Sequence, residues 1–382
     1  MRNDTAVAVI EPVGGHGGMD YYDLELCRGL LATGCRVSLY TCDETAVPAV
    51  AGLQFYRFYR RIYGSESRWS RAFRYLIGTL AALATASACG EKICHLHLFH
   101  GANAELALVL LAKVCRRKVV ITVHDVESFG DATTVSRATI SRVYRFADRL
   151  IVHNQFSKRE LIERFTVSPA KVSVIPHGNY LAFVSELLNP VEARRSLGIG
   201  ESSKVVLFFG QIKEAKGLDL LLEAAAEVAR EIPGVTFLIA GRPWRSDFSR
   251  YEALIRKLGI RDHVVLHSRF IPHEEVASYY AAADVVVLPY RRIYQSGVVL
   301  MAMSYRRPVV VSDLPGMTEI VRDGENGFVF ASGSSAQLAK RLVEILGDDE
   351  SRARVAAAGF EYVSREHDWS RIGQMTAEAY KT

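Results

Sequence analysis

The chain has 382 residues, 49% hydrophobic and 23% charged, with 28 glycines and 11 prolines. That composition buries large cores and excludes disorder, collagen and low-complexity scaffolds. Lys and Arg number 47 against 42 Asp and Glu, a formal charge of +5, which suits an anionic ligand or membrane surface and falls short of a dedicated nucleic-acid binder.

At about 150 residues per domain the length points to two domains. Six cysteines (Cys27, Cys35, Cys42, Cys89, Cys94, Cys115) lie in the first third without regular spacing, which argues for reduced thiols in a cytoplasmic protein rather than a disulfide framework. The opening residues lead straight into a strand pattern and not an export signal. The longest apolar stretch, 75–88, is too short and too rich in small residues to span a bilayer. The expectation is a cytoplasmic protein, soluble or seated on a membrane without crossing it.

In chain order, strand patterns fall at 6–10, 37–40, 94–99, 119–124 and 150–153, with helical patterns at 21–31 and 105–114 between them. A Pro-His-Gly turn opens a break at 176–188, read as a linker. A second alternation follows, with strands at 204–209, 236–240, 264–267, 285–289 and 308–312. Such alternation predicts an α/β chain of two Rossmann-like, doubly wound parallel-sheet domains facing a central cleft, with ligands at the carboxyl ends of strands.

The first strand runs into Glu11-Pro12-Val13-Gly14-Gly15-His16-Gly17-Gly18. Four glycines ahead of a helix let backbone approach a phosphate or sugar, although a turn serving only chain reversal is the alternative. The dinucleotide pattern G-x-G-x-x-G fails, because Asp20 is sixth from Gly15 and His16 is third from Gly14, so nicotinamide binding loses its support. In the second half a buried run ends at Gly210-Gln211, and Lys213 and Lys216 precede a helix. This is not a Walker loop. The helix dipole disfavours each cation there by about 0.3–1 kcal/mol, a sign that a bound anion would reverse; two solvated lysines are the alternative.

Between Phe55 and Tyr75 six arginines, including Arg57, Arg60, Arg61 and Arg74, interleave with aromatic residues around one acid, Glu66. That suits the headgroup region of an anionic leaflet; stacking on RNA, or plain packing under a helix, are the alternatives. Cys89, Cys94, His95, His97 and His100 crowd together, yet alternation along a strand puts His95 and His97 on one face and Cys94 on the other, which argues against zinc. Asp43-Glu44 reads as a loop charge.

Several segments together resemble glycosyltransferase family 4, the retaining nucleotide-sugar transferases of GT-B fold. Gly14-Gly15 resembles its N-terminal glycine loop, and 30–37 its L-x-x-x-G-H-x-V with Cys35 in the His place. Thr122-Val123-His124-Asp125 matches T-x-H-D, and Lys216-Gly217-Leu218-Asp219 opens K-G-x-D-x-L. Ser296-Gly297, Pro308 to Asp313, and Gly316 to Val321 match the long donor-site block. The resemblance implies an acceptor domain at 1–180, a donor domain at 181–365 and a terminal helix, 366–382, crossing back to the first.

It also implies a hexose transferred from a UDP- or GDP-linked donor to a saccharide, lipid-linked acceptor in surface-polysaccharide assembly at the inner membrane face. No metal, no further cofactor and no nucleic-acid partner are expected. Lys216 and Lys213 would neutralise the departing diphosphate beside Gly210 and Gln211, and Lys213 would stand in for the family's G-R-L arginine, replaced here by Gln211. His124 would bond the transferred sugar, with a structural histidine as the alternative. Gly14 and Gly15 would approach the donor, while His16 and Asp125 would serve the acceptor. The family's paired glutamates fall on Tyr294 and Ala302, so donor contacts pass to backbone N–H groups of Ser296, Gly297 and Val298, and ribose contacts to Gln295 or Glu319. A non-catalytic sugar-nucleotide binder, a GT-B-type epimerase and an RNA-binding scaffold are the competing expectations.

Overall fold

The computed structural model describes residues 5–17, 19–98, 103–127, 136–184, 188–244 and 248–382, so Gly18, Phe99 and His100 lie outside the described residues. The chain divides into two compact units, Met1–Gly178 with His367–Thr382, and Asn179–Glu366.

The first unit is built on a parallel sheet of β1 (Ala6–Glu11), β2 (Arg36–Cys42), β3 (Gln54–Tyr59), β4 (Ile93–Leu98), β5 (Lys118–Val123), β6 (Arg149–Val152) and β7 (Val172–Val174), in the order β3-β2-β1-β4-β5-β6-β7. β1 is buried along its whole length, because helices cover both faces of such a sheet and its inner strands read as continuous apolar runs. Two strands escape the sequence patterns. β7 is only three residues long, and β3 lies inside the arginine–aromatic segment, where Tyr59 is fully buried and Tyr56 stacks on Tyr40 at 5.0 Å. The front of that segment is therefore a sheet edge, a correction to the reading of all of it as headgroup-facing surface.

The C-terminal helix Trp369–Ala379 packs on the helix Asp20–Ala32 through two glycines. A Cβ on Gly373 would stand 2.2 Å from the Gly29 carbonyl carbon, and one on Gly29 2.3 Å from the Trp369 oxygen. Only bare backbone fits there.

The second unit holds β8 (Val205–Phe209), β9 (Thr236–Ala240), β10 (Val264–His267), β11 (Val285–Leu288), β12 (Val309–Ser312) and β13 (Phe328–Phe330), in the order β10-β9-β8-β11-β12-β13. Strand side chains alternate between two cores. Val206 and Phe208 join one with Phe237 and Ile239, while Val205 and Leu207 join the other with Leu238 and Tyr280, as the two-residue period of a strand requires. In each sheet the order reverses at one place, between β1 and β4 and between β8 and β11. Loops leaving those neighbouring strands part in opposite directions and open a crevice at the carboxyl edge.

Candidate active site

In the second unit, β8 ends at Gly210, whose φ of +104° is open to glycine and few other residues. A Cβ there would lie 3.6 Å from both Lys216 Nζ and Val298 Cγ2. The loop after β8 and the helix Gly297–Ser304 after β11 thus meet at the reversal point. The 3-10 turn Glu214–Lys216 carries Lys216, and Gly217, at φ +63°, starts the helix Leu218–Glu231. The lysines therefore precede the helix, rather than standing in its first turn.

Lys216 Nζ donates to the Tyr290 hydroxyl at 3.2 Å. Among the described residues no carboxylate pairs with it. Tyr290 is buried, and the loop behind it is tied to the lysine's own turn by the Arg291 N–H donating to the Ala215 carbonyl at 2.8 Å. The nearby Asp219 carboxylate is taken up by Arg291 at 2.7 Å. Lys213 turns to a different partner, with Nζ 4.9 Å from the centre of the Trp244 ring, and half-buried Gln211 precedes both lysines in sequence.

Gln295 Oε1 is buried and accepts no hydrogen bond among the described residues. Such an acceptor costs about 1–3 kcal/mol unless a ligand or water donates to it. Ser296 is buried ahead of the helix start, and a Cβ on Gly297 would come within 2.5 Å of the Tyr180 hydroxyl. Val298 is half-buried, and Glu319 is exposed beyond the short helix Pro315–Thr318. Tyr294 and Ala302 are fully packed in the core, so apolar contacts occupy the places of the paired glutamates.

In the first unit the glycine loop is held from below. The Glu11 carboxylate accepts from the Val13 N–H at 2.9 Å and from the Gly14 N–H. A Cβ on Gly14, at φ +47°, would strike the hydroxyls of Thr41 and Thr45, and one on Gly15 would lie 2.7 Å from the Glu44 carbonyl oxygen. Close packing on the end of β2 thus accounts for both glycines. His16 falls in the short helix Gly14–Gly17, and its side chain lies outside what is described.

His124 follows β5 and is buried, with half-buried Asp125 beside it. Four further imidazoles from successive strand ends surround it. Ring centres run His95–His97 at 5.1 Å, His97–His124 at 5.4 Å, His124–His153 at 5.1 Å and His153–His177 at 5.4 Å. The Tyr22 ring stands edge-on to four of these and to Trp369 at 4.9–5.7 Å. At one end His95 bonds the Tyr380 and Thr122 hydroxyls. At the side His97 Nδ1 lies 2.8 Å from Asp23 Oδ1. The histidines at 95 and 97 share a face as the alternation required, and no metal-holding group of three or more His, Cys, Asp or Glu exists among the described residues. Sequence reasoning missed His153, His177, Tyr22, Glu11 and Asp23 as site residues; Glu11 ends β1 and His153 directly follows β6, where the carboxyl-edge rule could have pointed to them although no motif covers them.

Burial pushes His97 and His177 down to about 3 and His153 to about 4, and holds His95 and His124 well below the usual range, with neighbouring imidazoles adding to the effect. Burial raises Glu11 and Asp23 well above theirs. Unfolded imidazoles take up protons below about pH 6.5 that the folded ones refuse. The unfolded state then binds more protons, and each histidine removes about 1.4 kcal/mol of stability per unit of pH lost. The two carboxyls act oppositely and lose stability as pH rises above about 4, but the five imidazoles outnumber them. Urea midpoints are therefore expected to fall steeply from pH 6.5 to 4.5; a flat profile would contradict a neutral, buried cluster.

Comparison with known proteins places these features. The model "Glycosyltransferase Family 4" matches residues 16–181 and "Glycosyl transferases group 1" matches residues 191–362. The chain is 27% identical over 395 residues to a D-inositol 3-phosphate glycosyltransferase of Corynebacterium diphtheriae, covering 96% of this chain and 90% of that one. It is similar in structure to sucrose-phosphate synthase from Thermosynechococcus elongatus, with a TM-score of 0.79 at 22% identity over 99% of this chain and 98% of that one. Anabaena HepE in complex with UDP and glucose matches at 0.77 and 21% over 99% of each chain. With the two family models together matching residues 16–181 and 191–362 and the GT-B fold shared along its length, the chain belongs to glycosyltransferase family 4.

Proposed function

We propose that the protein is a retaining, metal-independent hexosyltransferase that moves a hexose from a UDP- or GDP-linked donor to a lipid-linked saccharide on the cytoplasmic face of a membrane, in surface-polysaccharide assembly. The observation that carries the donor half is the Lys216 ammonium, unpaired with any described carboxylate, fixed on Tyr290 and bordered by the bare backbone of Gly210. A diphosphate seated there gains negative charge as the bond to the anomeric carbon breaks, and a fixed cation stabilises that charge without reorganisation. Lys213 adds a second cation, and Gly210 and Gln211 supply loop backbone. The N–H groups of Ser296, Gly297 and Val298 face the donor, and Gln295 Oε1 takes a hydrogen from a ribose hydroxyl, with Glu319 as the other ribose contact.

His124 bonds the transferred sugar, with Gly14 and Gly15 on the donor side and His16 and Asp125 on the acceptor side. In the step itself the acceptor oxygen bonds to the anomeric carbon on the face the leaving phosphate departs from. The acceptor proton passes to that phosphate, so no protein nucleophile is required.

The membrane half rests on the helix Arg68–Ala88. Trp69, Phe73, Leu76, Ile77 and Leu80 form one stripe at helical spacing, open to solvent, with Trp69 75% and Phe73 63% exposed. Below it a cavity of about 460 Å³ is lined by Asp43, Phe58, Arg60, Arg61, Arg74 and Ile77. An apolar stripe flanked by guanidinium groups complements an anionic leaflet, where each basic residue contributes roughly 1 kcal/mol. None of the described helices is long and apolar enough to cross a membrane. Replacing Trp69 and Phe73 together by alanine is expected to weaken co-sedimentation with phosphatidylglycerol vesicles roughly tenfold or more; unchanged binding would remove the helix from that role.

The reading as a whole is tested by incubating the protein with UDP- and GDP-sugars and EDTA. Release of nucleoside diphosphate that rises with added lipid-linked acceptor is the expected result. Binding without turnover would favour a silent sugar-nucleotide binder.

A further inference from the structure

The position of a single proton on His124 follows from its neighbours. The Ile175 carbonyl oxygen, which can only accept, lies 3.1 Å from His153 Nδ1, so that nitrogen carries a hydrogen. His153 is neutral in its buried place, which leaves its Nε2 bare. That bare nitrogen faces His124 Nδ1 at 3.3 Å. Two lone pairs pointing at each other would repel, so His124 Nδ1 carries the hydrogen between them. His124 is neutral too, and its Nε2 is therefore the nitrogen with the lone pair.

We infer that His153 is a positioning residue that holds His124 as the Nδ1–H tautomer, so that His124 Nε2 meets the substrate as an acceptor and selects a group that donates, a sugar hydroxyl. The opposite tautomer would offer N–H and favour a ring, carbonyl or phosphate oxygen. The orientation is built into the sheet. β6 ends at Val152 and delivers His153, β5 ends at Val123 and delivers His124, and Ile175 follows β7, so three adjacent strand ends set the bonded chain. Tyr22 packs edge-on against both rings, at 4.9 and 5.7 Å between ring centres. The tautomer stands on the hydrogen-bond geometry together with the burial that keeps both rings neutral; its consequence for turnover rests on the proposed role of His124 in transfer.

Long-range proton–nitrogen correlation spectra of the full chain with labelled histidine read both ring nitrogens directly. The expected spectrum shows His124 with Nδ1 protonated and Nε2 bare; His124 found protonated at Nε2 overturns the inference. In His153→Leu the Nε2-protonated form should appear and kcat fall about tenfold with donor KM within twofold. His153→Gln, whose amide both donates to the Ile175 carbonyl and accepts from His124, should restore both. An unchanged tautomer in His153→Leu overturns the inference. A changed tautomer with wild-type kcat upholds it and instead removes His124 from the transfer step. If the leucine variant fails to fold, the wild-type and glutamine spectra decide alone.

Discussion

Replacing Lys216 by alanine is expected to lower kcat/KM about 100-fold, the loss that follows removal of one preorganised electrostatic donor, about 2.7 kcal/mol. The effect belongs mainly in kcat, because the diphosphate carries more charge while leaving than while bound in the ground state. The lysine is half-buried, its one described hydrogen bond is to Tyr290, and it sits outside the apolar cores. The variant should therefore melt close to wild type. Steady-state release of nucleoside diphosphate measures the loss, and wild-type kinetics with intact folding would refute the assignment.

The largest expected effect on stability is Gly373→Val. A side chain there meets Gly29 backbone, with carbonyl carbon and oxygen at 2.2 and 2.3 Å from the first added atom. No rotamer relieves a clash with main chain, so the two helices must separate along the seam that places Trp369 against Tyr22 and the histidines. Overpacking of this kind costs about 3 kcal/mol or more, which lowers Tm by roughly 6–12 °C for a unit of this size. Gly347→Ala, at the end of the helix Ser335–Gly347 with nothing within 4 Å of the new Cβ, should leave Tm unchanged. Equal melting of the two variants in calorimetry would contradict the glycine seam.

Where the chain spells one structural period clearly, its pattern was readable. The ten expected strands all lie on observed ones, nine of them because the inner strands of a parallel sheet are apolar on both faces, and β10, at a sheet edge, because its run Val264–His267 is still mostly apolar. β3, β7 and β13 were not, for different reasons. β7 and β13 are three residues long, too short to show alternation. β3 is an edge strand whose polar and arginine side chains look like surface, although Tyr59 at its end is core. Lys216, Gly210 and Val298 were legible as a motif, and the structure brings them together. The imidazole chain was not, because its members come from four strand ends far apart in sequence, and no local spacing links His153 to His124. Trp369 shows the same limit. The obligatory Gly178, whose Cβ would stand 2.0 Å from the Trp369 ring, is intelligible only once the last helix lies on the first unit.

The most direct measurement is the structure of the protein with a UDP-sugar bound. The account predicts the diphosphate over the loop 210–217, with a phosphate oxygen about 3 Å from Lys216 Nζ and Gly210 backbone beneath it. A diphosphate bound elsewhere, with the Lys216 side chain extended into solvent, would contradict it.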